Sequence, residues 1–353
     1  MRRPSLKQPF VTSSIQSVLG PVPVVNNFMT FADWLGTVMV RCGIKRENYR
    51  VDPGLYGFGN PDSESEILVT SNYKLSFDSL RACHKERSFW ILVLDTQGIN
   101  VWCAAGKGTF GTDELVSKIM SCSLHRLVKH RRLIVPQLGA SGISGYETRE
   151  KTGFKVIFGP VDCRHLLEFI DNGKKSNEEM RTKTFTMADR LTLIPIELLH
   201  YTKIGGFLCL LVLIISGLTG SGTVLENIQG NGLFIVFGIF SGILTGALCG
   251  PMLLPWLPGR AFSVKGFFIG LICALLLLFS RHVFYGNPWS WNKALVWIFT
   301  ISSVSSYITL NFTGSSTYTS LSGVKKEMKW AIPLQIIVFS CGMILALVTI
   351  FDK

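Results

Sequence analysis

The chain has 353 residues, with 35 Lys+Arg against 23 Asp+Glu, a formal net charge of +12 and 48% hydrophobic residues. So much apolar content excludes a disordered chain. The charge distribution excludes a single soluble globule: residues 1–200 carry 26 Lys/Arg and 20 Asp/Glu, whereas residues 201–353 carry 9 and 3 between long apolar runs. The sequence reads as a soluble front part joined to a membrane-embedded back part.

Taken in chain order, the start (Met1-Arg2-Arg3-Pro4-Ser5) leads into no apolar stretch and is not read as a signal peptide. The front part is therefore expected in a reducing cytoplasm with its thiols free. The nine cysteines are spaced so that no two lie within three residues, which excludes a CxxC redox pair and a zinc ribbon. Residues 67–71, 90–95, 132–136 and 154–158 read as short buried strands. Between and after them, residues 76–84, 112–129 and 162–172 read as helices. Thr112 before Asp113 and Glu114 supplies a helix start with an acidic first turn. This alternation predicts a doubly wound, Rossmann-like α/β domain with a parallel sheet, which binds ligands beyond the carboxyl ends of its strands. Those ends carry Thr70-Ser71-Asn72, residues 95–107, residues 137–142 and Gly159-Pro160. The organisation expected is a front domain over 1–172, a polar linker over 173–200 and an all-α transmembrane domain of five helices over 201–353.

Five apolar segments, 204–219, 233–254, 266–285, 294–312 and 331–351, are candidates to span a bilayer, which takes about 20 residues each. The first and third are the marginal ones, the third carrying Arg281 and His282 near its end, and one of them reads alternatively as a buried or re-entrant helix. With the front part inside, the inner flanks hold Arg190, Lys203, Arg260, Lys265, Lys325, Lys326 and Lys329, and the outer ones only Arg281, Lys293 and Lys353. That asymmetry places the protein as a multi-pass protein of the cytoplasmic (inner) membrane with its N-terminal domain in the cytoplasm. No ionisable residue lies mid-membrane, so the helices read as a lipid-embedded anchor rather than an ion relay. Gly238, Gly242, Gly246 and Gly250 repeat at the spacing of close helix packing. No basic stripe interleaved with aromatics is present, which argues against nucleic-acid binding.

The chemistry concentrates after the second predicted strand, in Asn100-Val101-Trp102-Cys103-Ala104-Ala105-Gly106-Lys107-Gly108-Thr109-Phe110-Gly111. A P-loop fails here, because Val101 stands where its first glycine belongs and Gly108 follows Lys107 in place of Ser/Thr. Gly106, Gly108 and Gly111 match GxGxxG, but too far past the strand end for a dinucleotide turn. No acid follows strand 132–136 to hold a ribose. An isolated Cys more often packs as a small hydrophobe. Against that, Ala104-Ala105-Gly106 lets a flat ligand approach the backbone, and a thiolate is a soft metal ligand.

This segment, NVWCAAGK over residues 100–107, resembles the signature of the mercury-methylating corrinoid proteins, the HgcA family. The resemblance extends through GTFGTDEL (108–115), NYRVDPGLYGFGNP (48–61), VTSNYK (69–74) and VPQLGA (135–140). It implies a corrinoid domain similar to that of the corrinoid iron–sulfur protein of the acetyl-CoA pathway, followed by five membrane helices. The implied cofactor is cobalamin, with Cys103 as the catalytic residue and the lower axial ligand of cobalt. Asn100, Val101 and Trp102 would orient the loop beneath the corrin, Ala104, Ala105 and Gly106 would let the corrin approach the backbone, and Lys107 would cap the helix or contact the tail phosphate. Thr70, Ser71 and Asn72 would contact corrin amides or the tail, and Gln137, Leu138, Gly139, Ala140, Gly159 and Pro160 would line the nucleotide tail. The implied activity is a cobalamin-dependent methyltransferase, passing a methyl group from methyl-Co(III) cobalamin to Hg(II) and so forming methylmercury. The implied partners are a ferredoxin-like protein, HgcB, with two 4Fe–4S clusters, and a folate-dependent methyl-donor methyltransferase. Two alternatives stand beside it: a membrane-anchored corrinoid methyl carrier of one-carbon metabolism, and a non-enzymatic membrane sensor.

Overall fold

The computed structural model describes residues 3–18, 20–83, 87–219, 222–285 and 290–351. The chain divides into two compact units, Met1–Lys183 and Thr184–Lys353.

The front unit runs β1 (Val11–Ser17), β2 (Gly20–Val25), α1 (Phe31–Arg41), β3 (Gly54–Phe58), β4 (Ile67–Ser71), α2 (Lys74–Cys83), β5 (Phe89–Leu94), α3 (Val101–Lys107), α4 (Thr112–Ser121), α5 (Leu124–Leu127), β6 (Arg132–Pro136), α6 (Gly145–Thr152), β7 (Lys155–Gly159), α7 (Leu166–Asp171) and α8 (Glu178–Arg181). Its seven strands form one sheet in the order β1-β2-β3-β5-β4-β6-β7. The four strands foreseen from the sequence, β5-β4-β6-β7, are parallel. The expectation of an all-parallel sheet is corrected by the other three. β3 lies antiparallel to β5, β2 pairs parallel with β3, and β1 closes the edge as an antiparallel hairpin. Local pattern hides these strands: β1 is polar and mostly solvent-facing, and β3 carries two glycines in five residues.

Strand pleating sends alternate side chains to opposite faces. Ile67, Val69, Leu92 and Leu94 pack under α3 and α4 with Ala104, Phe110 and Leu115. Leu68, Ile91 and Val93 pack on the other face with Phe77 and Phe169. The predicted helix over 112–129 is two helices, because Ser123 takes a left-handed conformation, φ 44°, between α4 and α5. The segment expected as a linker contains α8, whose Met180 joins the second core cluster, and the first turns of the following membrane-type helix. The expectation that the front thiols are free is overturned for one pair. Cys83 at the end of α2 and Cys163 in the turn after β7 are joined as a disulfide, their Cα atoms 6.3 Å apart. They lie 80 residues apart in sequence, so only the packing of α2 on that turn brings them together.

The back unit holds α9 (Met187–Thr219), α10 (Val224–Asn227), α11 (Leu233–Leu244), α12 (Gly250–Leu253), α13 (Phe262–Tyr285), α14 (Trp291–Asn311) and α15 (Leu321–Phe351). Five helical spans among the described residues are long and apolar enough to cross a membrane. The two short apolar segments gain length from their N-terminal sides, with spans of 32 and 22 residues. The glycine repeat packs as its spacing implied. A Cβ at Gly246 would lie 3.0 Å from Ser305 Cα, and one at Gly238 would enter the Trp297 ring. Hydroxyls along α14 bond to neighbouring helix carbonyls: Ser305 Oγ donates to Gly266 O at 2.8 Å and Ser306 Oγ to Ser263 O at 2.8 Å.

Candidate functional site: a thiol on a capped helix at the sheet's carboxyl edge

The site starts from a buried asparagine. Asn72, just past β4, is 2% exposed. Its Oδ1 accepts hydrogen bonds from the backbone amides of Thr96 (3.1 Å) and Gly98 (2.9 Å), and its Nδ2 donates to Asp95 Oδ1 at 3.0 Å. Glu114 on α4 accepts from the Asp95 amide at 2.8 Å. These bonds hold the loop after β5 in a conformation with positive φ at Gln97 (59°) and Gly98 (75°). The loop delivers Asn100 to the N-cap of α3, where its Oδ1 accepts from the Cys103 amide at 2.9 Å. Gly108 ends the helix in the left-handed region at φ 82°.

Helical spacing then sorts the motif into two faces. Val101, Ala104 and Ala105 belong to the core beneath α3. Trp102, 45% exposed, Cys103, Gly106 and Lys107 face solvent. A Cβ at Gly106 would meet nothing within 4 Å. Among the free thiols of the front unit, Cys103 is exposed while Cys42 and Cys122 are half-buried.

The loop after β6 packs against this helix. Gln137, Leu138 and Gly139 form a 3-10 turn, with Ala140 as its cap. A Cβ on Gly139 would lie 2.5 Å from the Phe110 ring and 3.4 Å from Val101 Cγ1. Gly142 is tighter still, with the Phe110 carbonyl in the way and Ala105 Cα at 3.0 Å.

The structure thus brings residues 100–107 and 137–140 together. Thr70, Ser71 and Asn72 lie buried at the end of β4. Asn72 is spent on the loop and positions α3. Ser71 is wholly buried, and its Oγ has no hydrogen-bond partner among the described residues. By pleat alternation it shares the sheet face of Val69, the face that α3 covers. Gly159 and Pro160 are buried at the end of edge strand β7, separated from β5 by both β4 and β6, where a Cβ on Gly159 would lie 2.9 Å from Ile134 Cγ2. Sequence reasoning placed Gly142 only within the loop 137–142 and Glu114 only in a helix start, and it missed the loop-holding role of Glu114, the tight packing of Gly142 and a cationic pocket of about 610 Å³ beside Gln137, lined also by Phe158, Lys174, Lys175 and Arg181. Only the acidic first turn of α4 and the glycine pair of LGASG were signals for the first two.

Fold and site together define a mixed α/β domain, with a solvent-facing thiol at the carboxyl edge of its sheet, followed by membrane-type helices. Comparison with known proteins narrows the class. Residues 39–170 match the family of the CO dehydrogenase/acetyl-CoA synthase delta subunit, CdhD. The gamma subunit of the acetyl-CoA decarbonylase/synthase complex of Methanopyrus kandleri is 32% identical over 128 residues, 36% of this chain and 27% of that protein. The same subunit of Methanocaldococcus jannaschii is 31% identical over 144 residues, covering 40% and 29%. The chain therefore spans under a third of the length of these relatives. Its front unit is similar to these CO dehydrogenase/acetyl-CoA synthase and acetyl-CoA decarbonylase/synthase subunits.

Proposed function

We propose that the front unit is a corrinoid-binding methyl-transfer domain, with Cys103 as the protein's donor to cobalt and Hg(II) as the methyl acceptor. The observation that carries the reading is the exposure of Cys103 on a capped helix within an NVWCAAGK segment. The residues fit the group. Gly106 leaves open space beside the thiol, Trp102 offers a flat apolar surface, and Ser71 holds an unspent hydroxyl beneath. One thiolate suffices for a metal whose other ligands arrive with its macrocycle. When bound, the corrinoid supplies a cobalt able to take up and release a methyl group, and a cysteinate donor pushes electron density toward such a metal, as it does in haem proteins.

The chain's own residues orient and shield. Asn100 fixes the first turn of α3, so that Cys103 leaves the helix in one direction. Ala104 and Ala105 lock that turn onto the core. The turn 137–140 walls one side of the helix, and its glycines permit that closeness. The membrane helices tether the domain, and the positive-inside asymmetry supports a cytoplasmic location for it. A two-cluster ferredoxin as reductant and a folate-dependent methyl donor complete the cycle.

A second reading differs only in the acceptor. The matched relatives are subunits of acetyl-CoA decarbonylase/synthase complexes, which favours a carrier of one-carbon metabolism. The test is anaerobic loading of the full chain in nanodiscs with cobalamin, read by UV–visible absorption in wild type and Cys103→Ala. A sulfur-to-cobalt spectrum lost in the variant is expected, together with loss of methyl transfer to Hg(II). Identical spectra and transfer rates in both proteins would overturn the role of Cys103. Transfer to a corrinoid-dependent acceptor but not to Hg(II) would select the second reading.

A further inference from the structure

Helix α1 is amphipathic the wrong way round. The face toward the domain carries Asp33, Gly36, Thr37 and Val40, whereas the face toward solvent carries Phe31, Trp34, Leu35 and Val38. Both sets follow the i, i+3, i+4, i+7 spacing of a helical stripe. Phe31 is 76% exposed and Trp34 58%, and their rings stack with centroids 5.9 Å apart.

Ion pairing imposes this orientation. Asp33 is buried and accepts from Lys74 Nζ at 2.5 Å and from Arg81 Nη2 at 2.8 Å. Arg81 is fully buried and is held further by Asp78, the Phe28 carbonyl and Asn26. Gly36 admits the Tyr49 ring, which a Cβ would approach to 2.8 Å. Turning the apolar stripe inward would leave these charges unpaired, which costs more than the exposed aromatics gain by burial. The outward stripe is a fixed feature of the fold.

Two facts identify its occupant. The stripe ends in a cation: Arg41 lies three residues beyond Val38 on the same face, and exposed Lys45 and Arg46 follow. Apolar and aromatic residues beside Lys/Arg are the composition of an element lying at a lipid–water boundary. In addition, the first membrane-type span begins at Met187, four residues after the front unit ends at Lys183. The front unit is thereby joined through a short connection to a membrane-type helix. The family match spans residues 39–170, so the stripe precedes the residues matched by that family.

We propose that the outer face of α1, with Phe28 before it, docks on the anionic phospholipid surface of the membrane in which the chain is embedded. Phe31, Trp34, Leu35 and Val38 enter the headgroup–acyl boundary, and Arg41, Lys45 and Arg46 meet lipid phosphates. The inference does not depend on the cofactor or on the acceptor.

The test places the photocrosslinker p-benzoylphenylalanine at Phe31 of the full chain in liposomes of phosphatidylglycerol and phosphatidylcholine. Adducts are identified by mass spectrometry, with the same reporter at Tyr146, which is equally exposed on α6. Lipid adducts several-fold more abundant at position 31 are expected. They should fall when Arg41, Lys45 and Arg46 become Gln, and when the liposomes contain phosphatidylcholine alone. Hydrogen exchange over residues 28–38 should slow when phosphatidylglycerol is added. Equal lipid yields at 31 and 146 would overturn the proposal. So would adducts at 31 to protein only, whether a second copy or another chain.

Discussion

Asn100 caps the helix that carries Cys103, its side-chain oxygen accepting a hydrogen bond from the Cys103 amide at 2.9 Å. The residue that opens the motif therefore positions the residue that carries its exposed thiol. Replacing an N-cap Asn by Ala costs about 1 kcal/mol. In a seven-residue helix that loss falls on the turn bearing the thiol. Asn100→Ala is expected to lower cobalamin affinity while leaving the melting of the front unit nearly unchanged, and Asn100→Asp to restore binding. Spectroscopic titration alongside a thermal melt checks both.

Asn72 acts one layer deeper. Removing its oxygen leaves the Thr96 and Gly98 amides unsatisfied in the interior, at about 1–3 kcal/mol. Asn72→Ala should destabilise the front unit by that order and speed alkylation of Cys103 as the loop loosens. Denaturant melts and thiol-labelling kinetics in nanodiscs read the two effects separately.

Two glycines make opposite predictions. Gly142 has no room for a methyl group, so Gly142→Ala should cost roughly 1–3 kcal/mol through overpacking. Gly106 has open space, and Gly→Ala inside a helix stabilises by about 0.5–1 kcal/mol. Gly106→Ala should therefore leave the fold intact or firmer while reducing cobalamin uptake. Equal uptake by wild type and this variant would show that the ligand does not lie over Gly106.

The Asp33 cluster predicts an acid-sensitive lock. Burial pushes its carboxyl upward, but hydrogen bonds from Lys74, Arg81 and Thr30 outweigh that and hold it well below its ordinary value of 3.8. A folded value below the unfolded one means that the stabilisation is complete above about pH 4 and is lost as pH falls through the depressed folded value. Asp33→Asn should cost about 3–5 kcal/mol at neutral pH, because it leaves buried cations short of a partner. It should also flatten the pH dependence of front-unit stability below pH 4, measured by pulse proteolysis.

Much of this molecule was legible in the linear pattern. The parallel strands β4, β5, β6 and β7 announce themselves as short apolar runs, and the membrane-type helices as long ones. NVWCAAGK stands out by its isolated Cys among small residues. β3 did not, because its burial comes from pairing antiparallel with β5, which no local periodicity encodes. Thr70, Ser71 and Asn72 were expected to touch a ligand through being at a strand end. Only the structure shows that Asn72 is consumed by the loop and that the Ser71 hydroxyl has no hydrogen-bond partner among the described residues.

The sequence by itself determined the division into a charged front and an apolar back, the α/β class and the place of the isolated thiol in its small-residue segment. Composition and short-range spacing are properties of the chain before it folds. Tertiary structure decided which face of each helix is outward: Cys103 reaches solvent because Ala104 and Ala105 fill the core beneath α3. Trp34 reaches solvent because Asp33, forty-eight residues before Arg81, must meet that buried guanidinium. A long-range ion pair outweighs local amphipathicity, since an unpaired buried charge costs more than an exposed aromatic ring.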